Sequence, residues 1–120
     1  MSRVRYSPSE KLEYFATVGW DGFLKIWNKN FQIKFTFKAH DGAINALSIA
    51  PTGKYIATGG KDQLVLVWDI DNLKEPTITF KAKTEINDLK FNPTNQWLAA
   101  STDRGIQIWD LQEPTSKPFT

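Results

Sequence analysis

Thr58-Gly59-Gly60-Lys61-Asp62-Gln63-Leu64-Val65-Leu66-Val67-Trp68-Asp69 points to the architecture of this 120-residue chain, because its ending occurs three times at a fixed interval. Upstream, Asp21 precedes Leu24-Lys25-Ile26-Trp27-Asn28; downstream, Asp103 precedes Ile106-Gln107-Ile108-Trp109-Asp110. Trp27, Trp68 and Trp109 stand 41 residues apart, and each follows its aspartate by six positions. A proline lies 16 to 19 residues before each tryptophan, at Pro8, Pro51 and Pro93. A period near 40 with several short alternating segments per unit is the mark of a four-stranded propeller blade.

Working outward from Trp68, period-2 alternation and turn residues divide the second unit into strands at Ile44–Ile49, Tyr55–Gly59, Leu64–Trp68 and Thr77–Phe80. Pro51-Thr52-Gly53 supplies the first turn, with φ fixed by proline and a positive φ open to glycine. The first unit divides likewise at Val4–Tyr6, Tyr14–Thr17, Leu24–Trp27 and Ile33–Phe37, and the third at Ile86–Phe91, Trp97–Ala100 and Ile106–Trp109. The expectation is eleven strands and no helix. Residues 1–120 then form one partial all-β propeller: blades at 3–38, 39–81 and 82–112, the last lacking its outer strand, and a connecting loop at 113–120. The nearly continuous apolar first and third strands of the second unit suit strands covered on both faces. Lys34, Lys38 and Lys81 mark outer edges, where lysine discourages pairing with another chain.

Composition narrows the function classes. Apolar residues make up 41% of the chain, enough for a packed core, and a net charge of +2 with pI near 8.9 permits contact with nucleic acid without requiring it. There is no cysteine, and Asn92-Pro93-Thr94 fails as a glycosylation acceptor because of its proline. Both facts suit a cytoplasmic protein. No apolar run approaches the roughly 18 residues that span a bilayer, and the N-terminus lacks a secretory apolar stretch, so no membrane insertion is expected.

With Asp21-x5-Trp27, His40-x17-Thr58-x3-Asp62-x5-Trp68-Asp69 and Asp103-x5-Trp109-Asp110 in view, the chain resembles the WD40 repeat family over essentially its whole length. The resemblance implies a side-chain hydrogen-bond network in each blade, linking a His, a Ser or Thr, an Asp and a Trp. It assigns His40, Thr58, Asp62 and Trp68 to the second blade, and Thr17, Asp21 and Trp27 to the first, whose His position would precede Met1. In the third, Asp103 and Trp109 remain, but Lys83 stands at the His40 position, Ala100 at the Thr58 position, and the turn is one residue shorter.

The order Gly19-Trp20-Asp21, Thr58-Gly59-Gly60-Lys61-Asp62, then Trp97-Leu98-Ala99-Ala100 is similar to blades four to six of a seven-bladed, ribosome-associated branch of that family. That likeness implies a non-enzymatic, cytoplasmic scaffold on the small (40S) ribosomal subunit, linking kinases to translation. Its implied partners are ribosomal proteins, kinases and translation factors, with ribosomal RNA at peripheral lysines, no cofactor and no small-molecule substrate. The alternative is a WD40 adaptor of another assembly, of ubiquitin-ligase or G-protein type.

His40, Thr58 and Asp62 are also the residue types of a nucleophilic triad. The bland reading prevails: the threonine sits mid-strand with a tryptophan partner, and the same Thr-Asp-Trp spacing recurs in the first unit without a histidine. One histidine and no cysteine leave no metal-ligand cluster, and Gly59-Gly60-Lys61 is followed by Asp62 where a phosphate loop needs Ser or Thr. Asn45, Ser48, Asn87, Asp88 and Lys90 on the inner strands are too ordinary a set for channel chemistry. Trp20 and Lys61 precede the turn aspartates and should project beside His40 and Asp41 on one face of the disc as a protein contact; for Trp20, packing on the next blade is the structural alternative. The opposite face offers Lys29, Lys54 and the loop from Asp71 to Pro76. Such a fragment should also leave two apolar blade faces bare.

Overall fold

The computed structural model describes residues 3–6, 14–82, 84–92 and 97–110. Eleven strands occur among them: β1 (Arg3–Tyr6), β2 (Tyr14–Val18), β3 (Phe23–Asn28), β4 (Ile33–Lys38), β5 (Ile44–Ile49), β6 (Tyr55–Gly60), β7 (Leu64–Asp69), β8 (Ile78–Lys81), β9 (Ile86–Phe91), β10 (Trp97–Thr102) and β11 (Gly105–Asp110). They form three antiparallel sheets in the orders β1-β2-β3-β4, β5-β6-β7-β8 and β9-β10-β11, each a simple up-and-down meander. This is the three-blade propeller fragment expected from the repeat, with three strands in the last sheet. Pro8, Lys83, Pro93 and the loop at 113–120 lie outside the described residues. No helix among the described residues is long and apolar enough to cross a membrane.

β5 and β9 have the expected limits, and the other strands differ from theirs by one or two residues, mostly because the ladders run on into the hairpins. The largest extension is in β10, where Thr102 pairs with Gly105, two residues beyond the expected end at Ala100. The fourth strand of the second sheet is shifted to Ile78–Lys81, although the Thr77 amide already donates to the Val67 carbonyl at 2.8 Å.

Two apolar clusters hold the three sheets together. Ala16, Val18, Leu24 and Ile26 of the first sheet meet Ile44, Leu47, Ile56, Leu66 and Trp68 of the second. On its other face the second sheet packs Ala57, Val65, Val67 and Phe80 against Ile86, Leu89, Leu98 and Trp109. The second sheet is thus buried on both faces, which accounts for its apolar strands. Gly59 permits the second contact: a Cβ there would lie 2.8 Å from the Ile86 side chain.

Polar ties link the innermost strands. Arg3 Nε donates to the Asn45 carbonyl at 3.0 Å, Asn45 Nδ2 to the Ile86 carbonyl at 3.2 Å, and the Phe91 amide to Ser48 Oγ at 3.3 Å. Asn45 and Ser48 therefore bind neighbouring sheets to each other. At the opposite strand ends the Tyr14 hydroxyl donates to the Gly53 carbonyl at 2.6 Å, and burial pushes that phenol above its ordinary pKa. Beyond these junctions, Tyr6 (70% exposed) and Phe31 (69%) on the first sheet and Ile106 (60%) on the third leave the two outer faces open.

Candidate functional site

The four residues assigned to the second blade come from four places in the chain. His40 lies between β4 and β5, Thr58 in β6, Asp62 in the β6–β7 hairpin and Trp68 in β7. In the register Ile56 faces Trp68 and Thr58 faces Leu66, so Thr58 and Trp68 share one face of the sheet two residues apart. The chain then folds back through Ala39 to bring His40 over both.

His40 Nε2 lies 2.8 Å from Thr58 Oγ1 and His40 Nδ1 2.8 Å from Asp62 Oδ2, while Trp68 Nε1 donates to Thr58 Oγ1 at 3.0 Å. One proton arrangement satisfies every group. The indole donates to the threonine oxygen, the threonine hydroxyl donates to Nε2 of a neutral imidazole, and Nδ1–H donates to the carboxylate. The second carboxylate oxygen of Asp62 accepts from the Leu64 amide at 3.1 Å, which fixes the hairpin. Burial lowers the pKa of His40 against the opposing pull of Asp62, in keeping with the neutral form.

Hydroxyl, imidazole and carboxylate in this order have the connectivity of a hydrolytic triad, yet the geometry denies it a substrate. Thr58 has no exposed surface, His40 is 3% exposed, and the Trp68 indole already occupies the threonine oxygen. A nucleophile must face an open cleft, with a donor set for the developing oxyanion. Among the described residues, no group of three His, Asp or Glu side chains could hold a metal.

The other two sheets repeat the arrangement in part. In the first, Trp27 Nε1 donates to Thr17 Oγ1 at 3.1 Å, and Asp21 Oδ1 accepts from the Phe23 amide at 3.1 Å, the same hairpin bond that Asp62 makes. The turn residue after each aspartate has positive φ: 85° at Gly22 and 67° at Gln63. In the third, Leu98 faces Trp109 and Ala100 faces Gln107, so Ala100 occupies the Thr58 place and no hydroxyl is available. The β10–β11 hairpin is one residue tighter, and Asp103 accepts from Asn87 Nδ2 at 2.9 Å instead of from a histidine. Gln107 is 7% exposed, and its Oε1 has no hydrogen-bond partner among the described residues. Sequence reasoning missed that orphan; its signal was the polar residue where the second unit has Leu66.

Trp109 and Trp68 share a further role. Trp68 meets Phe37 of the preceding sheet edge-on at 4.9 Å, and Trp109 stacks on Phe80 of its preceding sheet at 5.0 Å. Trp27 instead stacks on Phe15 of its own sheet at 5.7 Å.

Of the surface candidates, Trp20 and Lys61 are brought together, lining one hollow with Ala43 and Asn45. Trp20 is 77% exposed, so it does not pack on the next sheet, and Asp41 is exposed beside the buried His40. Lys29 and Lys54 lie in the β3–β4 and β5–β6 loops, at the other strand ends. The Asn28 side chain orders the Lys29 loop by accepting from the Asn30 and Gln32 amides, and the Lys54 ammonium stands 5.5 Å above the Tyr55 ring.

The family model described as WD domain, G-beta repeat matches residues 2–28, 31–69 and 74–110. The chain is similar to the small ribosomal subunit protein RACK1 of Caenorhabditis elegans, 35% identical over 114 residues that cover 94% of this chain and 35% of that protein. Among solved structures it is similar to the β-propeller domain of Cps50 (Swd1) from Myceliophteria thermophila, with a TM-score of 0.85 and 20% identity over 97% of this chain and 37% of that one. The chain thus spans about a third of the length of both proteins, and the second likeness concerns the fold alone.

Proposed function

Because the chain belongs to the WD40 repeat family, we propose that it works by binding, as part of a non-enzymatic propeller scaffold on the small ribosomal subunit in the cytoplasm. The observation that carries the ribosomal part is the 35% identity to RACK1, a small ribosomal subunit protein, sustained over 94% of this chain. The non-enzymatic part is supported by the buried network, whose donors and acceptors are satisfied within the sheet. In this reading the scaffold joins signalling kinases and translation factors to the ribosome through its loop faces. Trp20, Lys61 and Asp41 present one such surface, and Lys29 and Lys54 offer cations to ribosomal RNA or protein at the other strand ends.

The test is to draw the tagged intact protein from a cell extract under a moderate salt wash and to assay the eluate for small-subunit RNA. Enrichment of that RNA is expected. Its absence, with other proteins captured in its place, would move the chain to an adaptor of a different assembly.

A further inference from the structure

We infer that the outer edge of β4 is a docking site for an extended, acidic segment of a partner protein, which joins the first sheet as a fifth strand. Among the described residues β4 ends its sheet, with no strand on its far side. The Ala39 amide donates to the Gly22 carbonyl at 2.8 Å, and the register runs unbroken from there through Leu24–Phe37 and Ile26–Phe35. Antiparallel alternation therefore turns the backbone of Phe35 and Phe37 toward β3 and the amides and carbonyls of Thr36 and Lys38 outward. An open row of donors and acceptors is what an added strand requires.

Beside this edge runs a groove of about 690 Å³ between β4 and the Asp71–Pro76 loop. Phe35, Phe37, Trp68, Ile70, Leu73 and Pro76 form its apolar walls. Phe35 is still 49% exposed and so has contact area left to offer. The corresponding edge of the second sheet, β8, differs: it has four residues, and Ile78, which faces Val67 as Phe35 faces Ile26, is partly buried. The site is therefore particular to the first sheet and does not belong to every blade.

Charge selects the occupant. Lys34, at the bulge beyond Phe35, and Lys38, which also borders the groove, are exposed on either side of Thr36. A second lysine-bearing edge is repelled, whereas a strand with carboxylates opposite these two lysines is attracted. The matching segment reads acidic, apolar, any residue, apolar, acidic, with the apolar pair entering the groove beside Phe35 and Phe37. That pattern is the same in both chain directions.

This inference rests on the scaffold reading only in that the site binds and does no chemistry. The probe is a fluorescein-labelled peptide, Ser-Glu-Leu-Thr-Val-Glu-Ser, titrated with the intact protein and followed by polarisation. Saturable binding is expected. Thr36→Pro, which removes an outward amide and leaves the β3 ladder intact, should weaken it at least about tenfold, and Thr36→Ala should not. The double variant Lys34→Glu/Lys38→Glu should lose this peptide and gain its counterpart with lysines in place of glutamates, which keeps the test valid should the proline variant fold poorly. Absence of saturable binding, binding indifferent to Thr36→Pro in a folded variant, or no exchange of preference in the double variant overturns the site. A protein that still captures small-subunit RNA while ignoring the peptide would lose this site and keep its scaffold role.

Discussion

The Thr58 hydroxyl and the Trp68 indole nitrogen lie 3.0 Å apart in a place where the threonine has no exposed surface and the tryptophan is 4% exposed. A single oxygen there serves two partners, taking the indole proton and giving its own to His40 at 2.8 Å. Because none of these groups can turn to water, the chain of bonds from Trp68 to Asp62 is worth most as a unit. It ties the third strand of the sheet to the hairpin and to the incoming connection at once.

Replacing Thr58 with valine keeps the shape and removes the oxygen, leaving a buried indole N–H and an imidazole nitrogen without partners. The expected loss is about 2–4 kcal/mol of unfolding free energy. Thr17→Val, which takes the acceptor from the half-buried Trp27 indole, should cost about 1 kcal/mol. Denaturant titration of the intact protein compares the two; equal losses would show that His40 adds nothing.

His40 supplies a pH dependence with a definite sign. Its pKa is lowered in the fold by burial, so below its ordinary value of 6.5 the unfolded chain binds a proton that the folded chain still refuses. Stability contributed by the neutral histidine is complete above that value and is lost as pH falls through the window below it, by at most about 1.4 kcal/mol per pH unit for one proton. Comparing unfolding free energies of the wild-type protein and His40→Gln across this window isolates the contribution. Parallel curves would sink the assignment.

Gln107 is a place where the protein should be easy to improve. Its Oε1 is buried without a partner among the described residues, and the second sheet has Leu66 at the matching position, facing Thr58 as Gln107 faces Ala100. Gln107→Leu should raise stability by about 1–2 kcal/mol by removing a desolvated carbonyl. A lower melting temperature for this variant would mean that the amide is satisfied in the intact protein.

How much of this was legible in the sequence depended on the range of the forces involved. The three sheets followed from Trp27, Trp68 and Trp109 because the repeat is written into local alternation and turn chemistry. The third blade's departure was also readable: Ala100 and the short Asp103–Gly105 turn are local facts, and the register confirms both. The identity of the network residues came from family resemblance; the geometry of their hydrogen bonds is set by the fold. Trp20 could equally have packed on the next sheet, a choice that only the neighbouring backbone makes. The groove along β4 was invisible for the same reason, since it joins Phe35 to Leu73 across two sheets. Lysines that read as edge protection turn out to flank outward backbone groups, where they also choose a partner's charge.

Sedimentation with ribosomal subunits decides the place proposed for this scaffold. Purified intact protein should be mixed with salt-washed small subunits lacking it and spun through a high-salt cushion, with large subunits as the control. The protein is expected to pellet with the small subunits, saturate near one copy per particle, and stay in the supernatant with the large ones. Protein that remains in the supernatant in both cases, while folded and binding other partners, would contradict the ribosomal assignment and leave a WD40 platform for another assembly.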